Sequence, residues 1–524
     1  MAILGNLLKR GLSIRESLEQ KYSWPPELQK QELKKLLIAA SETEFGSFYR
    51  FDQVLQAFRS REPQAYLDAF RSAVPVFDYD RLFAQWWHRI REGEPNICWP
   101  GRVRYFAMSS GTSGDSSKYI PVSREMIKAI RKTSMRQLLT LSYYNLPAEL
   151  FEKGILMLGG STALRKVESF YEGDLSGISA SKIPFWFQHF YKPGKKISKN
   201  PDWKRKLDQI TRKSPEWDIG VVVGVPAWIQ LMMEAIIAHH GVSTIHEVWP
   251  NLGIYVHGGV AFDPYRRGFE KLLARPLVYI ETYLASEGFI AFQARPGQNS
   301  MRLVLNNGLF YEFVPFTERN FDPDGNMIEN PETQTIGDVE EGVAYAILLS
   351  TCAGAWRYLI GDVIKFTSKA ECELQIVGRT KHFLSLCGEH MSLDNMNQAI
   401  RLTEEELDVN IREFTVAGVP EGSLFAHQWY VGCEGRAEAA EIARCLDRHL
   451  KTINDDYRIE RDYALKGVYL AKLPPEAFYE WMRLNGKEGG QNKFPRVLNK
   501  ERHGDWVRFV KERFPSSTSH ASVH

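Results

Sequence analysis

The chain has almost no charge to spare: 66 Lys+Arg stand against 64 Asp+Glu in 524 residues. So small an excess excludes a global field that recruits nucleic acid or an anionic membrane, and any anionic ligand has to be held locally. Cysteine is scarce too. The six, Cys98, Cys352, Cys372, Cys387, Cys433 and Cys445, form no Cys-x-x-Cys pair and no paired Cys/His spacing. That is the pattern of reduced thiols in a cytoplasmic protein, and it argues against a disulfide framework or a zinc module. The 13 histidines include no His-Glu-x-x-His run, so a histidine-built metal centre is not expected. Neither the Gly-x-x-x-x-Gly-Lys-Ser/Thr P-loop nor the Gly-x-Ser-x-Gly elbow occurs, which removes Walker-type nucleotide binding and acyl-enzyme chemistry on a serine.

Long hydrophobic runs are nearly missing as well. One stretch, "IGVVVGVPAWIQLMMEAIIA" from Ile219 to Ala238, is long enough in principle to span a bilayer. Gly224 and Pro226 break it, and Glu234 would put a carboxylate among lipid tails. A buried strand through Val225, with a helix starting at Pro226, is expected instead. At the start, "MAILGNLLKRGLSIRESLEQ" has too short an apolar stretch for a signal core and no cleavage site, so it reads as an amphipathic helix with no export implied.

What is present is an ordinary apolar share of 44% and a length that allows two to four units at roughly 150 residues each. Residues 1 to about 100 look helical, with Leu33, Leu36, Leu37 and Ala40 on one helical face. From about 101 to 378, short apolar runs such as "GILMLGG", "DIGVVVGV", "LGIYVHGG" and "PLVYIETYLAS" alternate with helical stretches. That alternation predicts an α/β fold, with residues 1–378 forming a large domain of mostly parallel β-sheets and packed helices. A small mobile α+β domain is expected over 379–510, and the polar stretch 511–524 reads as a disordered tail.

The stretch "YFAMSSGTSGDSSKYIPVS", Tyr105 to Ser123, is the first with chemistry in it. A strand precedes it, and a helix capped by Ser123 follows. Glycines let successive N–H groups point inward, Ser and Thr add short donors, and Lys118 adds a cation, which together make an anion holder. A Ser/Gly/Thr linker has the same composition.

This stretch resembles the phosphate-binding loop of the auxin-responsive (Gretchen Hagen) acyl acid amido synthetases, a family of the adenylate-forming superfamily. "TYLASEG", "WRYLIGDVIKF", "GRTKHFLSLCGEHMS" and "GGQNKFPRVL" resemble further family segments in the family's order, from about residue 33 to 500. The family shows Tyr-Arg-x-Gly-Asp where this chain has Arg357-Tyr358-Leu359-Ile360-Gly361-Asp362, which reads as one inserted residue or a displaced tyrosine and leaves Arg357 without a role. The hinge run departs from the plant form and suggests a bacterial branch.

The resemblance makes 1–378 the ATP- and acyl-binding domain and implies a residue-by-residue assignment. Ser109, Ser110, Gly111, Thr112 and Ser113 would cradle the phosphates of ATP with Lys118, and Ser110 would take part in catalysis. Glu287 would be catalytic as the Mg2+ ligand, Ser286 would donate to the α-phosphate, and Tyr283 would lie against adenine. Asp362 would accept from both ribose hydroxyls, Arg379 would contact ribose at the domain junction, and Lys381 would mark the hinge. Lys493 would approach the α-phosphate and the acid. His390 stands where plant relatives carry lysine; as a cation on phosphate it would make activity fall as pH rises through its pKa. Arg136, Val225, His257 and Gly258, with Met135, Leu139 and Trp228 nearby, would line the acyl pocket.

The activity so implied is ATP- and Mg2+-dependent: a carboxylic acid is adenylated, then an amine, most plausibly an amino acid, displaces AMP to form an amide. Coenzyme A as acceptor is the alternative within the same chemistry, and a non-catalytic nucleotide-binding regulator is the alternative outside it. Small-molecule acids and amino acids are the expected partners, with no nucleic acid or membrane. Neither the acid nor the oligomeric state is specified by the motifs.

Overall fold

Leu33, Leu36, Leu37 and Ala40 do form one buried stripe, on the helix Pro25–Ala40, which Pro25 opens at a position where no N–H is needed. The next helix, Glu44–Phe48, is capped by the Thr43 side chain, which accepts from Gly46 N at 3.0 Å. Further short helices continue to Arg91. The structure, a computed structural model, describes residues 24–109, 118–183, 187–260, 262–322, 325–380, 383–485, 494–515 and 519–524. The amphipathic helix expected at the start lies outside them. No helix among the described residues is long and apolar enough to cross a membrane.

The strands that follow are β1 Tyr105–Ser109, β2 Lys118–Val122, β3 Gly154–Leu158, β4 Arg165–Val167, β5 Phe170–Gly173, β6 Tyr191–Lys192, β7 Ile219–Gly224 and β8 Ile254–Gly258. After them come β9 Val278–Ala285, β10 Gly288–Phe292, β11 Met301–Leu303, β12 Leu309–Pro315, β13 Ala344–Thr351, β14 Tyr358–Ser368 and β15 Glu373–Arg379. The run Ile219 to Ala238 resolves as read from its glycine and proline, into β7 and the helix Pro226–His240.

The main sheet has the order β12-β13-β14-β15-β11-β10-β9-β8-β7-β3-β6. It is parallel from β9 through β6 and antiparallel from β9 through β12. The expectation of a mostly parallel sheet therefore holds for one half only. The Val/Ile-rich strands β7 and β8 are joined by a helical crossover, whereas β9–β10 and β13–β15 follow each other with short antiparallel connections that need no crossover. A second sheet, β2-β1-β5-β4, carries the hairpin that flanks the serine-glycine stretch.

Past Arg379 lie β16 Phe383–Leu384 and β17 Met391–Ser392, then helix Leu393–Leu407, and then the sheet β21-β18-β19-β20-β22. Its strands are β18 Asn410–Glu421, β19 Leu424–Glu434, β20 Leu465–Leu473, β21 Val497–Leu498 and β22 Ser519–Val523. The disordered tail expected over 511–524 is corrected at its described residues: the helix Lys500–Arg513 runs into its start, and β22 pairs antiparallel with β20. Polar composition misled there, because a strand anchored by backbone bonds, with Arg461 donating to Val523 O at 3.3 Å, needs little apolar surface.

This C-terminal module packs on the rest through one continuous core that includes Met233 and Ile236 on one side and Met396 and Leu446 on the other. Polar contacts cross the seam: Trp228 Nε1 donates to Glu460 Oε1 at 3.0 Å, and Gln230 Nε2 to Ser423 O at 2.7 Å. Trp228 also meets Trp203 and Tyr463.

Arg357 has a clear place in this frame. Its guanidinium makes a two-pronged contact with buried Glu312, at 2.8 and 3.0 Å, and donates to Val74 O at 2.7 Å, pinning the N-terminal helices to the sheet. Arg357 adopts φ +43°, and the residue after it, Tyr358, forms a parallel bridge with Phe77.

Candidate active site

Strands β9 and β10 form a hairpin with a two-residue turn, Ser286 and Glu287, closed by the pair Ala285 and Gly288. Gly288 has φ +150°, a conformation that L side chains rarely adopt. The Ser-Glu pair is therefore a turn tip that turns Glu287 inward, where it is 9% exposed. Burial pushes its carboxyl above the ordinary range, while Lys118 and Arg379 pull it down and Asp362 raises it. These four side chains share one electrostatic site.

Asp362 lies on β14 directly opposite Arg379 on β15. Arg379 Nε donates to its Oδ1 at 2.7 Å, and the Tyr283 hydroxyl donates to its Oδ2 at 2.5 Å. Strands β9 and β14 are well separated in the sheet order, so the antiparallel half curls back on itself to bring Tyr283 and Asp362 together. A carboxylate offers about four acceptor sites. With one taken on each oxygen, each oxygen keeps one for a ligand hydroxyl. Burial opposes the Arg379 charge, but Asp362 beside it holds the group above its usual value.

Burial, then the charge of nearby Glu287, holds the Tyr358 hydroxyl well above its ordinary pKa, and its ring lies against Trp87 at 5.5 Å. Counted back from Asp362, Tyr358 stands four residues away, where the Tyr-Arg-x-Gly-Asp pattern has its tyrosine. The tyrosine is thus in register and nothing is inserted; Leu359 replaces the pattern's arginine. The count from the fixed aspartate carried that signal.

Behind Arg379 the loop from Ser385 to His390 is folded around one side chain. The Glu389 carboxylate accepts from Leu386 N, Cys387 N and Gly388 N at 2.8–3.1 Å, and it lies 2.9 Å from His427 Nε2. Asn454 holds the Glu389 and His390 carbonyls. Burial, then repulsion from Arg379, lowers the His390 pKa to about 4 against the pull of Glu389 and Asp362. His390 is therefore neutral near pH 7.

The serine-glycine stretch connects two paired strands, Ser109 on β1 facing Lys118 on β2, and the capped helix Arg124–Thr140 follows β2. The expected strand–loop–helix is in fact a hairpin and then a helix, and Lys118 begins the second strand rather than sitting in the loop. Residues Ser110, Gly111, Thr112 and Ser113 lie outside the described residues, as do Lys381 and Lys493; Ser109 is described by its backbone alone. Lys118 Nζ sits over the Tyr79 ring, 5.3 Å from its centre. A cleft opens beside it, lined by Arg81, Lys118, Gly361, Arg379, Thr380 and Ser392 among others.

Of the expected acyl-pocket residues, three gather at the carboxyl ends of β7 and β8. A Cβ on Gly258 would come within 2.4 Å of Thr282 O, so only glycine lets β8 approach β9 there. His257 stacks on Phe262 at 4.6 Å. Val225 lies 3.5 Å from the space beside Gly259. Arg136 donates to Asn306 Oδ1, and Trp228 faces the C-terminal module rather than this group.

Three family models match in chain order: the GH3 N-terminal domain over 14–205, the central domain over 302–379 and the C-terminal domain over 394–502. A probable indole-3-acetic acid-amido synthetase of Oryza sativa subsp. japonica is 23% identical over 280 residues, 48% of this chain and 62% of that protein. A jasmonoyl-L-amino acid synthetase of the same organism is 26% identical over 204 residues, 36% of this chain and 32% of that protein. The matches thus span about a third to three-fifths of these relatives' length. Among solved structures, an acyl acid amido synthetase in complex with 2,4-DB superimposes with TM-score 0.58 at 16% identity, over 100% of this chain and 98% of that one. A 2-hydroxyisobutyryl-CoA ligase superimposes with TM-score 0.55 at 13% identity, over 94% and 92%. The fold is that of adenylate-forming enzymes, and with its three domain models in order the chain belongs to the GH3 acyl acid amido synthetase family.

Proposed function

We propose that this protein activates a carboxylic acid with ATP and transfers the acyl group to an amine, an amino acid being the best-fitting acceptor. The observation that carries the reading is Asp362, gripped by Tyr283 and Arg379 yet retaining one acceptor site on each oxygen, beside buried Glu287 and the cation Lys118. That arrangement suits a ribose diol next to a polyphosphate.

In the first half-reaction a carboxylate oxygen of the acid attacks the α-phosphorus of ATP, and pyrophosphate leaves. Lys118 and Arg379 balance the gathered negative charge; Ser109, Ser110, Gly111, Thr112 and Ser113 cradle the phosphates, and Ser286 donates beside them. Tyr283 fixes Asp362 and borders the adenine. Glu287 fits a Mg2+ ligand: it is a single buried carboxylate, and a hard cation held partly by phosphate oxygens needs one or two such groups. The ion would neutralise charge developing on the leaving oxygens. In the second half-reaction the amine nitrogen attacks the acyl carbon, AMP leaves with the C–O electron pair, and the surplus amine proton passes to solvent. Lys493 serves the first step and withdraws in the second as the C-terminal module turns about Lys381. Val225, His257 and Gly258 border the acyl group, and Arg136 lies on the helix bordering that region. His390 acts as a neutral neighbour of Arg379.

The test is exchange of labelled pyrophosphate into ATP over a panel of aryl, indole and aliphatic acids. Acid-dependent exchange that collapses in Glu287→Gln supports the reading; tight ATP binding with no exchange for any acid favours the non-catalytic alternative. With Tyr358 in register, the main sequence argument for that alternative falls away.

A further inference from the structure

The C-terminal module carries a cluster that adenylation does not use. The helix Ala439–Ile453 presents Cys445 and His449 four residues apart and therefore on one face, contrary to the expectation that no cysteine is spaced to pair with a histidine. The helix Leu393–Leu407 packs against it and brings Glu406. The thiol, imidazole and carboxylate ligand atoms lie within 4.8 Å of one another, and His449 Nε2 is 3.1 Å from Glu406 Oε2.

We propose that Glu406, Cys445 and His449 form a binding site for a zinc-class divalent cation, filling three of four tetrahedral positions. Bonds of about 2.3 Å to sulfur and about 2.0–2.1 Å to nitrogen or oxygen place tetrahedral ligand atoms about 3.3–3.6 Å apart. The His449–Glu406 spacing is already close to that. The thiol has only to close the remainder from at most 4.8 Å, within reach of side-chain rotation. A mixed thiolate, imidazole and carboxylate set selects zinc-like metals over Mg2+ or Ca2+, which favour oxygen alone. Glu406 is exposed and opens the site to solvent, while Cys445 is buried at its floor.

The same geometry shows what holds the site without metal. Arg448 donates to both Glu406 oxygens and comes within 3.4 Å of Cys445 Sγ, so a guanidinium stands where a dication would. Its side chain is 58% exposed and has solvent to swing into. Arg448 is therefore a competitor, and removing it strengthens binding. The Cys445 proton leaves for solvent when the metal–sulfur bond forms, so binding also strengthens as pH rises. A cation here ties the end of Leu393–Leu407 to the next helix and braces the module against unfolding.

The experiment is titration of the full-length protein with Co2+, read by near-ultraviolet thiolate-to-cobalt absorption, followed by competition with Zn2+. The expected result is one saturable equivalent, displaced by Zn2+, abolished in Cys445→Ser and tightened in Arg448→Gln. Glu406→Gln, a surface change that spares the core, weakens binding by at least the roughly tenfold that even supporting residues of metal sites are worth. Zn2+ also raises the unfolding temperature of the wild type more than that of Glu406→Gln. The proposal is overturned if no thiolate band appears, or if the band and its affinity are unchanged in both Cys445→Ser and Glu406→Gln. Should Cys445→Ser fail to fold, Glu406→Gln and Arg448→Gln decide, since opposite shifts from two exposed residues are expected only if both act on one bound cation.

Discussion

Arg379 Nε lies 2.7 Å from Oδ1 of Asp362, on positions that face each other directly across β14 and β15. The pairing makes the carboxylate proposed to hold ribose part of the sheet itself. Asp362→Asn keeps the shape and removes the charge, weakening every hydrogen bond to it. Charge-assisted bonds are worth about 1.5–3 kcal/mol each, so ATP affinity is expected to fall by about 10- to 100-fold. Isothermal titration with ATP measures this, and an unchanged affinity removes Asp362 from the site.

His390 is expected to leave no mark on the neutral pH profile. Its pKa is lowered to about 4, so it carries no charge for a phosphate between pH 6 and 8. This reverses the expectation from its alignment with a lysine. Pyrophosphate exchange in His390→Gln should keep the wild-type profile; loss of a wild-type decline near pH 6–7 in the variant would restore the cationic role. The sign for stability runs the other way from the usual histidine. The unfolded chain takes up a proton below its ordinary value near 6.5 and the folded chain does not, so stability is lost as pH falls from there toward 4.

Glu460 gives a test of the seam. One of its oxygens accepts from Trp228, the other is buried with no hydrogen-bond partner among the described residues, and burial followed by the nearby Glu389 charge holds its carboxyl well above the ordinary range. A raised carboxyl pKa stabilises only at low pH: the contribution is lost as pH rises from the unfolded value through the folded one. Glu460→Gln keeps the acceptor and abolishes the titration. The melting temperature of this variant should exceed that of wild type above neutral pH and fall short of that gain at pH 4; the opposite ordering contradicts a protonated Glu460.

Arg357→Met leaves Glu312 buried with its principal partner gone, and one-sided loss of a buried pair costs about 3–5 kcal/mol. Urea denaturation is expected to show an earlier transition, while the KM for ATP of the folded enzyme stays within about threefold, a free-energy change below 1 kcal/mol. A large KM change with unaltered stability would move Arg357 into the site.

Much of this was legible in sequence because it is local. The strand–turn–helix at Ile219 to His240, the cap at Ser123 and the buried stripe of the first helix follow from spacing and from Gly and Pro alone. What escaped depended on distant pairings. Nothing near Tyr283 announces that its hydroxyl reaches a strand 79 residues on, and Glu389 became visible only once its backbone donors and His427 converged on it. The parallel expectation failed past β9 because buried strands read alike in either direction. The tail failed because a ladder of backbone bonds carries no hydrophobic signature.

The central claim is amide formation through an acyl adenylate. Its most direct test is the rate of AMP release with an acid that supports pyrophosphate exchange, measured alone, with amino acids and with coenzyme A, with products identified by mass. Acceleration by an amino acid together with the mass of the amide is the predicted result. Acceleration by coenzyme A only, with the mass of a thioester, would contradict it.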